Sequence, residues 1–119
     1  MDKALAVLQM YSAESAAKKQ SRALGAGTVA SYVHNNAQVG SMVVLSCETD
    51  FVGKNEAFTA FARDIAMHAA ATRPQSVPEL LEQPFIKDES KTIAALLSAA
   101  TQKFGERIAV SEVVVLSVR

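Results

Sequence analysis

The sequence is poor in the residues that build metal sites and disulfide frameworks, with one cysteine, two histidines and no tryptophan among 119 residues. The single cysteine, Cys47, cannot form a disulfide within the chain. No apolar run approaches the roughly 20 residues that a membrane-spanning helix requires. The N-terminus also lacks the hydrophobic region of a secretory signal. We therefore expect a small soluble domain inside the cell, with few catalytic groups.

An excess of charge of one sign is also absent. Twelve basic residues balance twelve acidic residues, so the formal net charge is zero. This balance argues against a nucleic-acid binder that relies on a broad basic surface, and against a polybasic membrane anchor. Half of the residues are apolar, and the length is that of one domain with a core of its own.

The first part of the chain is rich in alanine, the residue with the highest helix propensity. A helix is predicted over residues 3–20, with a bend near Ser12 and Asp2 as the candidate N-cap. The pattern changes after Gly25. We therefore divide the chain into an N-terminal helical segment, residues 1–24, and a core domain, residues 25–119.

Two β-strands are predicted next, because valine alternates with small or polar residues. They cover residues 28–34 and 39–47. Asn35 and Asn36 lie between them, and paired asparagines tolerate the positive φ angles of a tight hairpin turn. The sequence therefore predicts a β-hairpin whose turn, with His34, is exposed and has no catalytic part.

After the second strand the apolar period changes to that of a helix, with Asn55 as the candidate N-cap. Residues 72–74 end this helix. A capping box follows, with Ser76 at the N-cap and Glu79 three residues later, and predicts a short helix to about Gln83. The apolar residues on one face of the first of these helices are Phe58, Phe61, Ala62, Ile65 and Ala69.

A last helix is expected to begin at Asp88 or Ser90 and to end at Gly105. The valine-rich stretch over residues 108–118 predicts a third strand. With three strands and two long helices, an α+β fold is the economical solution. We expect a three-stranded antiparallel sheet, made of the hairpin and the C-terminal strand, that helices cover on one face.

The second face of this sheet is predicted to be apolar as well. Strict alternation puts Val114 and Leu116 on the same side of the last strand as Val110, and Val113 and Val115 on the other side. A single helical layer covers only one face of a sheet. A contiguous apolar patch usually marks an interface, so we expect an interface that Val113→Lys or Val115→Lys would disrupt.

One combination of residues is compatible with enzyme chemistry. Cys47 with His34 or His68 would form the thiolate pair of a cysteine-dependent hydrolase, but nothing in the sequence brings these residues together. Cys47 ends a strand, where a small buried side chain is more typical, and an ion pair with Asp64 explains His68. We therefore expect no catalytic residue, no metal ion and no cofactor.

The connection between the second strand and the following helix, residues 47–54, carries two apolar residues flanked by charge. In one interpretation Phe51 and Val52 pack under the helix as a hydrophobic staple. In the other, a loop held on rigid elements presents an apolar wedge to a partner protein. On the residues alone the first interpretation is favoured, because buried phenylalanine is commoner than exposed phenylalanine.

The sequence resembles elongation factor Ts over nearly its whole length. The string Glu-Thr-Asp-Phe-Val, residues 48–52, is specific to that family in this setting. Residues 104–108 are similar to its Gly-Glu-Asn-Ile segment, with Arg107 in place of asparagine, and residues 16–22 are similar to the basic segment ahead of its core. The remaining similar segments are residues 29–34, 39–40, 55–56 and 64–68.

Members of that family are guanine-nucleotide exchange factors for the translational GTPase elongation factor Tu. The resemblance implies an exchange factor that is not an enzyme, acting in bacterial cytoplasm or in an organelle matrix or stroma. It also implies that Asp50 and Phe51 enter the GTPase near its magnesium site, loosen the metal and phosphate contacts, and so release GDP. The residues that would bind elongation factor Tu are Thr49, Asp50, Phe51 and Val52.

Three features depart from the family pattern. The family begins with a ubiquitin-associated-like domain, of which only the helix at residues 3–11 has a counterpart. Ser111 and Glu112 replace a basic pair of the last strand, and a second core repeat and a protruding helical hairpin are missing. An alternative function is therefore a structural or interaction module of a larger translation-associated assembly, with little exchange activity.

The resemblance also bears on the sheet face. Single-core members of the family are dimers, so it implies a homodimer, or packing on another domain, through the second face of the sheet. We expect no contact with a membrane and no direct contact with nucleic acid.

Overall fold

The structure is a computed structural model that describes residues 24–118. The helix expected over residues 3–20 lies outside this range. Within residues 24–118, no helix has both the length and the hydrophobicity needed to cross a membrane. The elements, in chain order, are β1 (Ala26–Val33), β2 (Val39–Cys47), α1 (Asp50–Gly53), α2 (Glu56–Thr72), α3 (Val77–Glu82), β3 (Pro84–Phe85), β4 (Asp88–Thr92), α4 (Ile93–Phe104) and β5 (Ala109–Ser117).

Strands β1, β2 and β5 form an antiparallel sheet in that order, which confirms the predicted α+β fold. The predicted β1–β2 hairpin is closed by the His34 amide, which donates to the Val39 carbonyl oxygen at 2.9 Å. Its turn is exposed, as expected. The positive φ of the turn, 60°, falls on Ala37 and not on the two asparagines.

Helix α2 lies across β1 and β2. Asn55 caps it as predicted, accepting a hydrogen bond from the Ala57 amide at 2.7 Å, and Arg73 ends it in the left-handed conformation with φ 55°. The Ser41 hydroxyl on β2 donates to the Ala66 carbonyl oxygen, which ties the helix to the sheet. The fully buried side chains of these elements include Val43, Leu45, Phe58, Ala62, Ile65 and Ala69.

The start of α4 differs from the prediction. Asp88 does not begin a helix, because its carboxylate accepts from the Ser90 amide and hydroxyl at 3.2 and 2.6 Å within strand β4. Asp and Ser favour such local bonds as readily as a helix cap, so the pattern does not distinguish the two. The helix begins at Ile93, and Thr92 caps it by accepting from the Ala95 amide at 3.1 Å.

The other predicted helix boundaries are confirmed. Ser76 caps α3 by accepting from the Glu79 amide at 3.3 Å. Gly105 ends α4 in the left-handed conformation, with φ 72°. This reversal turns the chain back towards the start of β5.

A β-bulge in β5 changes which of its side chains face the helices. Leu45 pairs with Val110, and the preceding residue of β2, Val44, pairs with Glu112. Ser111 is therefore the extra residue, and its hydroxyl lies 2.6 Å from that of Ser46. One extra residue reverses the side-chain alternation along the rest of the strand.

The predicted assignment of β5 side chains to the two faces is consequently wrong beyond the bulge. Val113 and Val115 pack against the core with Val110, whereas Val114 and Leu116 point away from the helices. The second face is nevertheless apolar, as predicted. Its exposed apolar side chains, which we call the uncovered face, are Val29, Val33, Met42, Val114 and Leu116.

Candidate functional site

The connection between β2 and α2 is the single helical turn α1. Thr49 is its N-cap: the Thr49 hydroxyl oxygen accepts from the Val52 amide at 3.4 Å, and the Thr49 carbonyl oxygen accepts from the Gly53 amide at 3.1 Å. The Lys54 amide donates to the Asp50 carbonyl oxygen at 3.0 Å. These backbone bonds fix the directions in which the side chains of the turn point.

Phe51 and Val52 point in opposite directions. Phe51 is 83% exposed, whereas Val52 is 3% exposed and lies in the core. Asp50 beside it is also exposed, so both residues are placed as the contact with a partner implied by the family resemblance requires. The interpretation that both apolar residues pack under the helix is wrong for Phe51, because Val52 alone anchors the turn.

Two glycines allow close approaches beside the turn, Gly53 between α1 and β1 and Gly27 between β1 and β2. A Cβ atom added at buried Gly53 would lie 3.2 Å from the Gly27 nitrogen. Gly27 has a φ of 148°, and a Cβ there would lie 2.3 Å from the Leu45 carbonyl oxygen. Sequence reasoning missed both roles. A signal was present in the Gly-Ala-Gly run of residues 25–27, which precedes a strand.

A carboxylate from a distant part of the chain holds the start of the turn. Glu106 follows α4, and its Oε1 accepts from the amides of Glu48 and Thr49 at 3.2 and 3.1 Å. Its Oε2 accepts from the Thr49 hydroxyl at 2.6 Å. We call these three hydrogen bonds the Glu106 brace. Sequence reasoning assigned Glu106 no role, because no local pattern connects residues that are 57 positions apart.

The support is reciprocal. The Glu48 carboxylate accepts from the Arg107 amide at 2.6 Å, so each of the two loops donates backbone amides to a carboxylate of the other. Hydrogen bonds to a charged acceptor are stronger than those between neutral groups. The turn is therefore attached to the loop before β5 as well as to its own flanking elements.

Cys47 lies directly before the turn and is fully buried, with its Sγ 3.2 Å from the Thr49 carbonyl oxygen. Burial, followed by the negative charge of Glu106, raises the pKa of the Cys47 thiol. A raised pKa disfavours the thiolate that a nucleophilic cysteine requires. The residue therefore behaves as a small buried side chain.

In the described part of the chain, each histidine has partners other than Cys47. His34 lies at the exposed hairpin tip. His68 is buried, and its Nδ1 accepts from the Ile86 amide at 3.2 Å while its Nε2 lies 2.9 Å from the Gln83 side-chain oxygen. Since a backbone amide can only donate, Nε2 carries the proton of the neutral ring. Burial lowers the pKa of His68.

The sequence interpretation of His68 as an ion-pair partner of Asp64 is wrong. The Asp64 carboxylate contacts Lys87 at 3.1 Å instead. Within residues 24–118, no group of three or more histidine, cysteine, aspartate or glutamate side chains could hold a metal ion.

The uncovered face is the second exposed apolar feature. Met42 pairs with Val114 across β2 and β5, and in the next row Gly40 lies between Val33 and Leu116. Val33 is 66% exposed and Leu116 is 72% exposed. These side chains project from hydrogen-bonded strands, which hold them in place, and Glu112, which pairs with Val44, lies on the same face.

An exposed ring on a rigid turn and an apolar sheet face are both arrangements suited to binding other proteins.

The protein-family model described as elongation factor TS matches residues 13–79 and 48–119 of the chain. The chain belongs to the elongation factor Ts family, and so to the factors of translation elongation.

Individual relatives agree. The chain is 33% identical to elongation factor Ts of Desulforamulus reducens, in a match that covers 91% of this chain and 70% of the relative. It is 34% identical to elongation factor Ts of Desulfitobacterium hafniense, in a match that covers 92% of this chain and 71% of the relative. For elongation factor Ts of Clostridium botulinum the identity is 36%, over 99% of this chain but only 38% of the relative.

Proposed function

We propose that this chain is a guanine-nucleotide exchange factor that promotes release of GDP from elongation factor Tu. The observation that carries the proposal is the 83% exposure of Phe51 on a turn whose backbone is held from several sides. An exposed phenylalanine forgoes roughly 1.5–3 kcal/mol of burial free energy. That free energy becomes available when the ring enters a partner.

Each residue of the turn has a distinct part in this proposal. Phe51 acts as a wedge between elements of the GTPase domain, and Asp50 brings a negative charge close to its magnesium site. Thr49 caps the turn and Val52 anchors it in the core, so the wedge does not fold back. Exchange is then a linkage, in which the factor and the nucleotide weaken each other's binding to the GTPase by the same coupling free energy. No bond is made or broken, so the factor is not an enzyme.

The test is release of labelled GDP from elongation factor Tu with the wild-type chain and with Phe51→Ala. We expect the variant to lower the stimulated release rate about tenfold, which corresponds to ~1.4 kcal/mol. Its melting temperature should change little, because the ring is mostly exposed. Ile86→Ala is the matched control, since Ile86 is also an exposed apolar residue and lies outside the turn.

Two results would contradict the proposal. One is a wild-type chain that binds elongation factor Tu without accelerating release. The other is a Phe51→Ala variant that loses its fold but exchanges normally per folded molecule, which would make the ring a structural element.

We propose in addition that the uncovered face binds a second copy of the chain or another domain. A two-fold interface would bring the same strands of two copies face to face. The exposed apolar side chains on adjacent strands support this proposal, since a patch of this kind usually marks an interface.

A second candidate function is an interaction module of a larger translation-associated assembly, with little exchange activity. The observation that favours it is the uncovered face, because exposed apolar side chains on neighbouring strands offer a second surface for other proteins. Binding to elongation factor Tu without GDP release would favour this function. The proposed setting for either function is bacterial cytoplasm or an organelle that retains bacterial-type translation, without direct contact to nucleic acid or membrane.

A further inference from the structure

Glu106 differs from the other polar residues near the turn, because it acts on the turn from outside it. It belongs to the loop between α4 and β5, yet all three of its described hydrogen bonds end at Glu48 or Thr49. The left-handed Gly105 at the end of α4 reverses the chain immediately before it. The carboxylate therefore reaches the turn from a loop that is not one of the two elements flanking it, β2 and α2.

One of the three hydrogen bonds of the Glu106 brace ends at a side chain, the Thr49 hydroxyl, which also caps α1. The Thr49 hydroxyl has one hydrogen, and it donates that hydrogen to Glu106 Oε2 at 2.6 Å. Its lone pairs are thereby directed towards the Val52 amide, which lies 3.4 Å away. Phe51 stands between Thr49 and Val52 in the chain, so the cap constrains the backbone that carries the ring.

We propose that Glu106 is a positioning residue for nucleotide exchange, which acts through Thr49 to fix the direction in which α1 presents Asp50 and Phe51. The inference rests on the proposed function, since it concerns the same turn. Glu106 need not touch the GTPase. Its effect arises because an inserted group works only when its geometry is set before binding.

Glu106→Gln is the informative variant. Glutamine has nearly the same size and keeps one carbonyl oxygen for the amides of Glu48 and Thr49. Its amide nitrogen replaces the other oxygen and is a donor, so it cannot accept the Thr49 hydrogen. The variant therefore reverses the hydrogen bond to the cap and leaves the Thr49 hydrogen without its acceptor, while preserving the rest of the brace. Glu89→Gln is the matched control, because it removes the same charge from an exposed position on β4.

The first measurement is GDP release from elongation factor Tu as a function of factor concentration. For Glu106→Gln we expect the saturating release rate to fall roughly fivefold, because a misdirected wedge is less effective once bound. The half-saturating concentration should change by less than about twofold, since residues that only bind are unaltered. A general loss of folded protein would instead move the half-saturating concentration and the melting temperature.

The second measurement reports on the turn in the free chain. The chain has no tryptophan, so Phe51→Trp introduces a single indole at the tip of the turn. In that background we expect Glu106→Gln to lower the fluorescence anisotropy of the indole, and Glu89→Gln to leave it unchanged. Thr49→Val should reproduce the loss and Thr49→Ser, which keeps the hydroxyl, should not. The double variant Glu106→Gln with Thr49→Val should lower the anisotropy of the indole no further than Thr49→Val does alone.

The outcomes separate this inference from the proposed function. If Phe51→Ala lowers release but Glu106→Gln changes neither the saturating rate nor the anisotropy, the positioning role is overturned and the exchange function stands. If the wild-type chain does not accelerate release, the exchange function is overturned, and with it any role of Glu106 in exchange. If Glu106→Gln does not fold, Thr49→Ser and Thr49→Val test the positioning role instead. Equal indole anisotropy in these two variants overturns the inference.

Discussion

Within residues 24–118, the turn α1 and the uncovered face both expose apolar side chains, and the two surfaces are built differently. On α1 a single ring projects from a turn that polar groups hold, through the Glu106 brace and the Thr49 cap. On the uncovered face several aliphatic side chains project from three hydrogen-bonded strands. The first surface is narrow and directional, and the second extends over three strands.

This difference corresponds to two kinds of contact. A ring that enters a partner and leaves again needs an exact direction but little apolar surface around it, so the turn is surrounded by Glu48, Asp50 and Glu106. A broad aliphatic face gains free energy in proportion to the area that it removes from water. It is therefore suited to a long-lived contact, whereas the turn is suited to a transient one.

The largest effect is expected at Gly27, where β1 lies between its partner strand β2 and the turn α1. Gly27→Ala would place a methyl group 2.3 Å from the Leu45 carbonyl oxygen at a φ of 148°. We expect the free energy of unfolding to fall by at least about 2 kcal/mol, since strained backbone and a steric clash add. Chemical denaturation measures this, with Gly25→Ala as control, because a Cβ there meets nothing within 4 Å. Equal stability of the two variants would contradict the close approach.

The next largest effect concerns the uncovered face. Leu116→Lys should weaken self-association at least about tenfold, or ~1.4 kcal/mol, without unfolding the chain, because Leu116 is 72% exposed. Sedimentation equilibrium measures the association. Gln102→Lys, at an exposed position of α4, adds the same charge elsewhere and should have no effect. A wild-type chain that stays monomeric at high concentration would exclude the homodimer.

His68 lies on neither exposed surface and gives a smaller, pH-dependent effect. Burial lowers the pKa of the folded ring below 6.5, so between these two pKa values the unfolded chain binds the additional proton. Stability is therefore full above pH 6.5 and decreases as the pH falls towards the folded pKa. Denaturation midpoints measured from pH 7.5 to about 5.5 should show this slope. His68→Gln should remove this pH dependence of the midpoint, and the control His34→Gln should retain it. A pH dependence that persists in His68→Gln would contradict the assignment to His68.

The smallest effect is expected at the hairpin turn. His34→Ala should change the free energy of unfolding by no more than ~0.5 kcal/mol and leave GDP release nearly unaltered, because the residue is exposed at the hairpin tip. Thermal melts and the release assay measure both quantities. A large loss of release with the fold intact would mean that the partner surface extends to the hairpin, and the contrast between turn and sheet face would need revision.

Much of the fold was predictable because its signals are local. The alternation of β1 and β2 and the caps at Asn55, Ser76 and Gly105 each depend on a few neighbouring residues. The start of α4 was not predictable in this way, because Asp88 and Ser90 use the same hydrogen-bonding groups within a strand. The exposure of Phe51 was predictable only through the family resemblance.

The sequence by itself determined the order of β1, β2, α2, α3, α4 and β5, the apolar character of both sheet faces and the position of the Thr-Asp-Phe-Val segment between a strand and a helix. These properties follow from propensity, period and motif. The tertiary structure alone decided the rest. The extra residue at Ser111 turned Val113 and Val115 inward, and a carboxylate 57 positions away came to hold Thr49. Both depend on how separate segments pair in space, and a pairing between distant segments leaves no periodic trace in either of them.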